Sequence, residues 1–176
     1  YDRPEQRDAL RAVREMLAGA IKHSGRDVVS AFVESPTFGG GSWFAHSSFL
    51  SGLEIRDKHR YDLLLASARE TLVQRFSTKG YRVLGLMPGL RQAWPEGDYY
   101  GFNAVYDATA LDYAGPAFGW WRIPDQFALA RVNQRELQVK ARAPIFLFFT
   151  TISSHAPFTP VPAYESDWQS LLGPSP

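Results

Sequence analysis

Apolar residues recur at spacings of three and four at the start of the chain, where Leu10, Val13, Leu17 and Ile21 share one face of the segment Pro4 to Lys22. That period predicts an amphipathic helix. Pro4 suits its first turn. His23-Ser24-Gly25 closes it, with His23 as a surface capping residue near the negative end of the dipole and Gly25 at the left-handed C′ position. The apolar run Val28 to Val33 then predicts a buried strand over 27–33. Pro36 and the glycines Gly39, Gly40 and Gly41 predict a turn. Ser42 opens a new apolar segment of helical pattern, Trp43 to Leu50.

Beyond Gly52 the pattern becomes charged from Leu53 to Arg60, which predicts an exposed loop with His59 on a solvated surface. Leu65, Ala68, Leu72 and Phe76 place a helix over 61–78, ended by Lys79-Gly80. Tyr81 to Met87 predicts a second buried strand, stopped by Pro88-Gly89. Strand, helix and strand in succession point to a parallel sheet with crossover helices. Residues 90–121 are irregular and aromatic, including Trp94, Tyr99, Tyr100, Phe102, Tyr106, Tyr113, Phe118, Trp120 and Trp121. Most of these rings are expected to pack the loop onto its scaffold. Pro124-Asp125 begins a helix to about Lys140, with Asp125 as an N-cap or first-turn acid. The apolar stretch Pro144 to Ile152 predicts a central strand buried on both faces. A proline-rich tail follows, with room for a short helix over 164–172.

Composition narrows the class. Across 176 residues, 45% are hydrophobic and 21% charged, which is a globular composition with enough sequence for a core. Nineteen basic against eighteen acidic residues give a net charge of +1, so neither a nucleic-acid footprint nor a polybasic membrane surface is expected. The absence of cysteine excludes disulfides and thiolate chemistry. No apolar run approaches the roughly 18 residues of a membrane span. The chain starts at Tyr1 and reads as a piece of something longer.

Candidate chemistry centres on Ser42. A strand, a glycine turn, a serine and a helix in that order can hold a hydroxyl at a helix N-terminus, where unpaired N–H groups favour an anion. A structural N-cap is the alternative use of the same serine. His46 lies four residues on and shares its face, and His155 stands at the carboxyl edge of the last strand, where α/β sites collect. The neighbourhood Gly40-Gly41-Ser42-Trp43-Phe44 does not match the G-x-S-x-G elbow of serine hydrolases. There is also no H-E-x-x-H, no phosphate loop with lysine and no dinucleotide fingerprint.

Four stretches occur in order: Ser35-Pro36-Thr37-Phe38-Gly39-Gly40-Gly41-Ser42-Trp43-Phe44-Ala45-His46, Ala93-Trp94-Pro95-Glu96-Gly97, Pro124-Asp125-Gln126 and Ser153-Ser154-His155-Ala156-Pro157-Phe158. Together, over about 26–168, the chain resembles the sulfatase-like branch of the alkaline phosphatase superfamily. The likeness is to bacterial membrane-anchored proteins related to lipoteichoic acid synthases and phosphoethanolamine transferases. The resemblance implies a three-layer αβα fold with a largely parallel sheet, of which residues 1–176 form a single partial catalytic domain. It implies a metal-activated nucleophile at Ser42, which is also a ligand of a divalent ion (Mn, Zn or Mg). It places His155 on the anionic group of the substrate and His46, Arg91, Trp94 and Asp125 in pocket-lining stretches. The expected substrate is small and anionic or derived from a phospholipid, with no nucleic-acid partner. A membrane anchor in the full-length protein and a location on the outer face of the bacterial inner membrane, or in the periplasm, are implied by resemblance alone.

Two departures follow. Trp43-Phe44-Ala45 after Ser42 lacks the proline and arginine of the C/S-x-P-x-R motif, which argues against classical sulfatase chemistry. The acid on an earlier strand and the later Asp-His pair that complete the family's metal site have no counterpart here. Glu34 ends the wrong strand to be that acid. The remaining metal ligands are therefore expected outside this chain, and the isolated chain is expected to be inactive. A non-catalytic binding module and a metal-free serine esterase remain as rival readings.

Overall fold

In the computed structural model the first helix follows the predicted span, α1 covering Pro4–His23. The structure describes residues 4–172 except Phe32, Gly39 and Trp120, and excepting the side chain of Gln6. Those three members of the predicted strand, glycine turn and aromatic run thus lie outside the described residues, as do the prolines at 174 and 176. The chain divides into two compact units, residues 1–35 and 36–176.

In the first unit α1 ends as its sequence requires. Gly25, at φ 72°, donates to Lys22 O at 3.0 Å while Arg26 donates to Ile21 O at 3.2 Å, the paired closure of a left-handed C′ residue. The strand predicted over 27–33 is corrected. Residues 27–31 and 33 are irregular, with Val29 90% and Val33 77% exposed. An apolar run supplies the side chains of a buried strand, but a strand also needs a neighbour to complete its ladder. The described residues show none for this segment.

The second unit is a mixed α/β structure. Its helices are α2 (Ser42–Ser51), α3 (Lys58–Leu65) and α4 (Leu72–Thr78), followed by strand β1 (Arg82–Leu86), the short helix α5 (Gly97–Tyr100) and strand β2 (Ala104–Tyr106). Helix α6 (Asp125–Val132) continues into a π turn at Asn133–Leu137, and strand β3 (Ile145–Phe149) comes last, before a 3-10 turn at Ser170–Leu172. The sheet is parallel in the order β2-β1-β3. Leu84 pairs with Ala104 on one side and Leu147 on the other.

β1 is the central strand, and its alternation builds two cores. Leu84 and Leu86 face Tyr106, Ile123, Phe127 and Val132, so α6 covers that side. Val83 faces Leu50, Val73 and Tyr100, so α2 and α4 cover the other. Val83, Leu84 and Leu86 are fully buried. By the usual transfer scale each of these side chains contributes about 1.5–3 kcal/mol.

Five further expectations change. The helix predicted over 61–78 is two helices, because the chain carries caps that interrupt the period. Asp57 accepts from Arg60 N at 2.9 Å and starts α3 within the segment expected to be loop. Thr71 and Gln74 form a reciprocal capping box that starts α4. β2 and α5 emerge from the stretch expected to be irregular, because three residues carry too little pattern to be read as a strand. β3 is an edge strand with half-buried residues rather than a central one, since only β1 has a partner on each side among the described residues. Finally, α6 and its π turn end at Leu137, short of Lys140, and the helix expected over 164–172 is reduced to the 3-10 turn. Among the described residues no helix is long and apolar enough to cross a membrane.

Candidate functional site

α2 begins without a side-chain cap. Its N-cap is Gly41 at φ 64°, preceded by Gly40 at φ 136°. Ser42 is therefore the first helical residue and not the N-cap, which corrects the structural alternative considered for it. A Cβ on Gly41 would lie 3.2 Å from the Phe44 ring, and Phe44 N donates to Gly41 O at 2.9 Å. Backbone conformation and space both select glycine here. Gly41→Ala is expected to cost about 1 kcal/mol and to lower the melting midpoint by roughly 2–4 °C. Gly41→Asn should cost less, because asparagine tolerates the left-handed region. Thermal melts of both variants decide it.

The four serines of α2 divide sharply. Ser47 Oγ donates to Trp43 O at 2.6 Å. Ser48 Oγ donates to Phe44 O at 2.8 Å and accepts from Ile55 N at 2.8 Å. Ser51 Oγ accepts from Leu53 N at 3.3 Å. Ser42 is exposed, and its hydroxyl makes no hydrogen bond among the described residues. It alone presents an unengaged hydroxyl at the positive end of this ten-residue helix.

His46, one turn on, is half-buried with its ring edge-on to Phe148 of β3 at 5.8 Å. Burial lowers its pKa from the ordinary 6.5, so the imidazole is neutral at pH 7. His46 and Phe49 of α2 thereby both lie against Phe148 of β3. No hydrogen bond joins Ser42 to either His46 or His155, so no serine–histidine pair is preformed.

At the carboxyl edge of the sheet, β1 and β3 run out side by side. Thr150 N donates to Leu86 O at 3.0 Å, and a Cβ on Gly89 would lie 2.7 Å from Ile152 Cδ1. The loop after β1 carries Arg91, which is exposed, and the loop after β3 carries His155. His155 Nδ1 lies 2.9 Å from Ala156 O. A carbonyl only accepts, so Nδ1–H is the donor in this contact.

Asp125 fastens that second loop. Its carboxylate accepts from Ile152 N at 2.9 Å and 3.1 Å and from Ser153 N at 3.0 Å, while its own N–H donates to Ser153 Oγ at 2.9 Å. Both carboxylate oxygens face backbone donors, so Asp125 serves here as a clamp on the segment leading to His155. Trp94 is also engaged in packing, its ring stacked 5.4 Å from Tyr100. The structure thus places Asp125 against the segment that leads to His155, Arg91 on the loop after β1, and Ser42 with His46 on α2. Trp94 lies within the aromatic layer.

Sequence reasoning did not single out Ser153, Ser47 or the hydroxyl of Tyr100 as polar partners. The fourfold spacing of Ser47 from Trp43 was a local signal, whereas the partners of Ser153 and Tyr100 lie far along the chain.

Among the described residues no three His, Asp or Glu side chains gather to hold a metal ion. Ser42 has a half-buried neutral imidazole on its own helix and no carboxylate cluster beside it. This donor set alone does not fit a divalent cation, which favours several oxygen or nitrogen ligands. No family model, no curated protein and no solved structure matches the chain.

Proposed function

We propose that Ser42 is the nucleophile of a phosphoryl-ester hydrolase or transferase whose catalytic domain is of the alkaline phosphatase type. The observation that carries this reading is the single unengaged, exposed hydroxyl at the start of α2, among three serines whose hydroxyls are committed. Ser42 Oγ attacks phosphorus, a phosphoserine bond forms, the ester P–O bond breaks, and the Ser42 proton passes through water to the departing oxygen, which leaves as the alcohol. Water or an acceptor alcohol then cleaves the phosphoserine and restores the hydroxyl. The N–H groups opening α2 stabilise charge developing on the phosphoryl oxygens, and Arg91 and His155 supply charge-assisted contacts from the facing loops. A divalent ion at Ser42 would activate its hydroxyl and would need its other ligands from residues outside this chain. The substrate is small and anionic or derived from a phospholipid, and the family resemblance alone supports a reaction on the outer face of the bacterial inner membrane or in the periplasm. Sulfuryl-ester chemistry is the less favoured alternative, because Trp43-Phe44-Ala45 lacks the proline and arginine of the C/S-x-P-x-R motif.

The second reading is a non-catalytic binding module on the same scaffold. The lack of a gathered ligand set among the described residues favours it. Assaying the complete protein on nitrophenyl phosphate monoester, diester and sulfate, each with manganese, zinc, magnesium or chelator, separates the two. Metal-dependent phosphate-ester cleavage is expected. Silence on every ester, together with no metal-dependent shift in melting, favours the module.

A further inference from the structure

We propose that Tyr100 and Ser47 are positioning residues for Ser42, an inference that rests on Ser42 being the nucleophile. Helix termini fray unless their free groups are held, and α2 starts at a glycine that offers no side-chain cap. The first turn is instead held from its buried side. Tyr100 O–H donates to Ser47 Oγ at 2.7 Å, and Ser47 O–H donates to Trp43 O at 2.6 Å. The direction of the relay is fixed at its end, because the Trp43 carbonyl can only accept. The Trp43 carbonyl belongs to the Trp43–Phe44 peptide, so the relay holds the first turn one peptide beyond the one that joins Ser42 to Trp43, and acts on the nucleophile through that turn.

The anchor is rigid. Tyr100 is 1% and Ser47 3% exposed. The Tyr100 ring is stacked on Trp94 and edge-on to Tyr99 at 5.3 Å, and its carbonyl accepts from Thr71 Oγ1 at 3.2 Å. Burial raises the phenol pKa, which keeps the donor protonated at neutral pH. A nucleophile on an uncapped first turn would otherwise lose its alignment, to which turnover is more sensitive than ground-state binding is.

The test uses the complete protein with nitrophenyl phosphate, alongside hydrogen exchange of the amides of residues 43–47. Tyr100→Phe is expected to lower kcat about tenfold with KM unchanged, and to speed exchange in that turn by about tenfold while α4 and β1 keep theirs. Ser47→Ala should do the same, and the double variant should be no worse than either alone, since both cut one relay. Wild-type kcat and wild-type exchange in Tyr100→Phe would overturn the inference. The two readings fail separately. Full turnover in Ser42→Ala sinks the nucleophile, whereas a silent Ser42→Ala beside a fully active Tyr100→Phe sinks only the relay. If no ester is turned over, unchanged exchange in Tyr100→Phe overturns it.

Discussion

Ser42→Ala in the complete protein is expected to lower turnover of phosphate esters by about a thousandfold or more, because it removes the atom that attacks phosphorus. The fold should not notice. Ser42 is exposed and its hydroxyl has no partner among the described residues, so its loss leaves no buried group unsatisfied. Alanine is also a better helix former than serine, by a few tenths of a kcal/mol. An unchanged melting midpoint beside lost activity is the signature to look for. Ser48→Ala is the contrasting control: it strips the partner from Ile55 N and should lower stability without acting on the chemical step. Ser42→Ala with wild-type kcat would remove the proposed nucleophile outright.

The largest stability effect is expected from Glu136→Ala. Arg82 Nε and Nη2 donate to the two oxygens of Glu136 at 2.6 Å and 2.7 Å, and Tyr106 O–H donates to Oε1 at 2.6 Å. The Glu136 side chain is 7% exposed and that of Arg82 is 41% exposed. Breaking a fully buried pair typically costs 3–5 kcal/mol, but Arg82 can be rehydrated here, so about 2–3 kcal/mol is the appropriate scale. That corresponds to a melting midpoint lower by roughly 5–10 °C. Glu136→Gln should lose less, because the amide oxygen still accepts one hydrogen bond.

The same cluster gives a pH dependence of definite sign. Hydrogen bonding from Arg82 holds the Glu136 carboxyl below its ordinary 4.5, aided by Tyr106. Burial, together with the bond to Glu136, pushes Tyr106 up to about 12. A carboxyl depressed in the folded state contributes fully above pH 4.5, and the contribution fades as pH falls through the lower folded value. The stability gap between wild type and Glu136→Gln should therefore shrink as pH drops below 4.5. Chemical denaturation at several pH values measures it, and a gap that widens on acidification would refute the assignment.

Elements whose pattern is local were readable from the chain. The stripe Leu10, Val13, Leu17 and Ile21 marks α1, Gly25 marks its end, and the runs around Val83 and Leu147 mark two strands of the sheet. What escaped depends on distant partners. β2 is a strand only because Ala104, Val105 and Tyr106 lie beside β1, and three residues show no usable alternation. The break between α3 and α4 was readable in Asp57 and in Thr71 with Gln74, but the continuous spacing of Leu65, Ala68, Leu72 and Phe76 masked it. The candidate site follows the same division. Gly41 and Ser42 announce a turn and a helix within a few residues, whereas the donors that occupy Asp125 lie 27 and 28 residues away.

The π turn after α6 carries a consequence for chain length. Gln138 N donates to Asn133 O at 3.0 Å, five residues back instead of four, so this turn holds one residue more than regular helical winding requires. Glu136 sits inside that surplus. Deleting a single residue between 133 and 135 would restore ordinary winding and turn position 136 part of the way around the axis, off the line to Arg82. The bidentate pair is thus a marker of insertion as much as of charge. Sequences that lack the extra residue have no geometric reason to keep arginine at the start of β1, so the length of this turn and the residue at position 82 should change together.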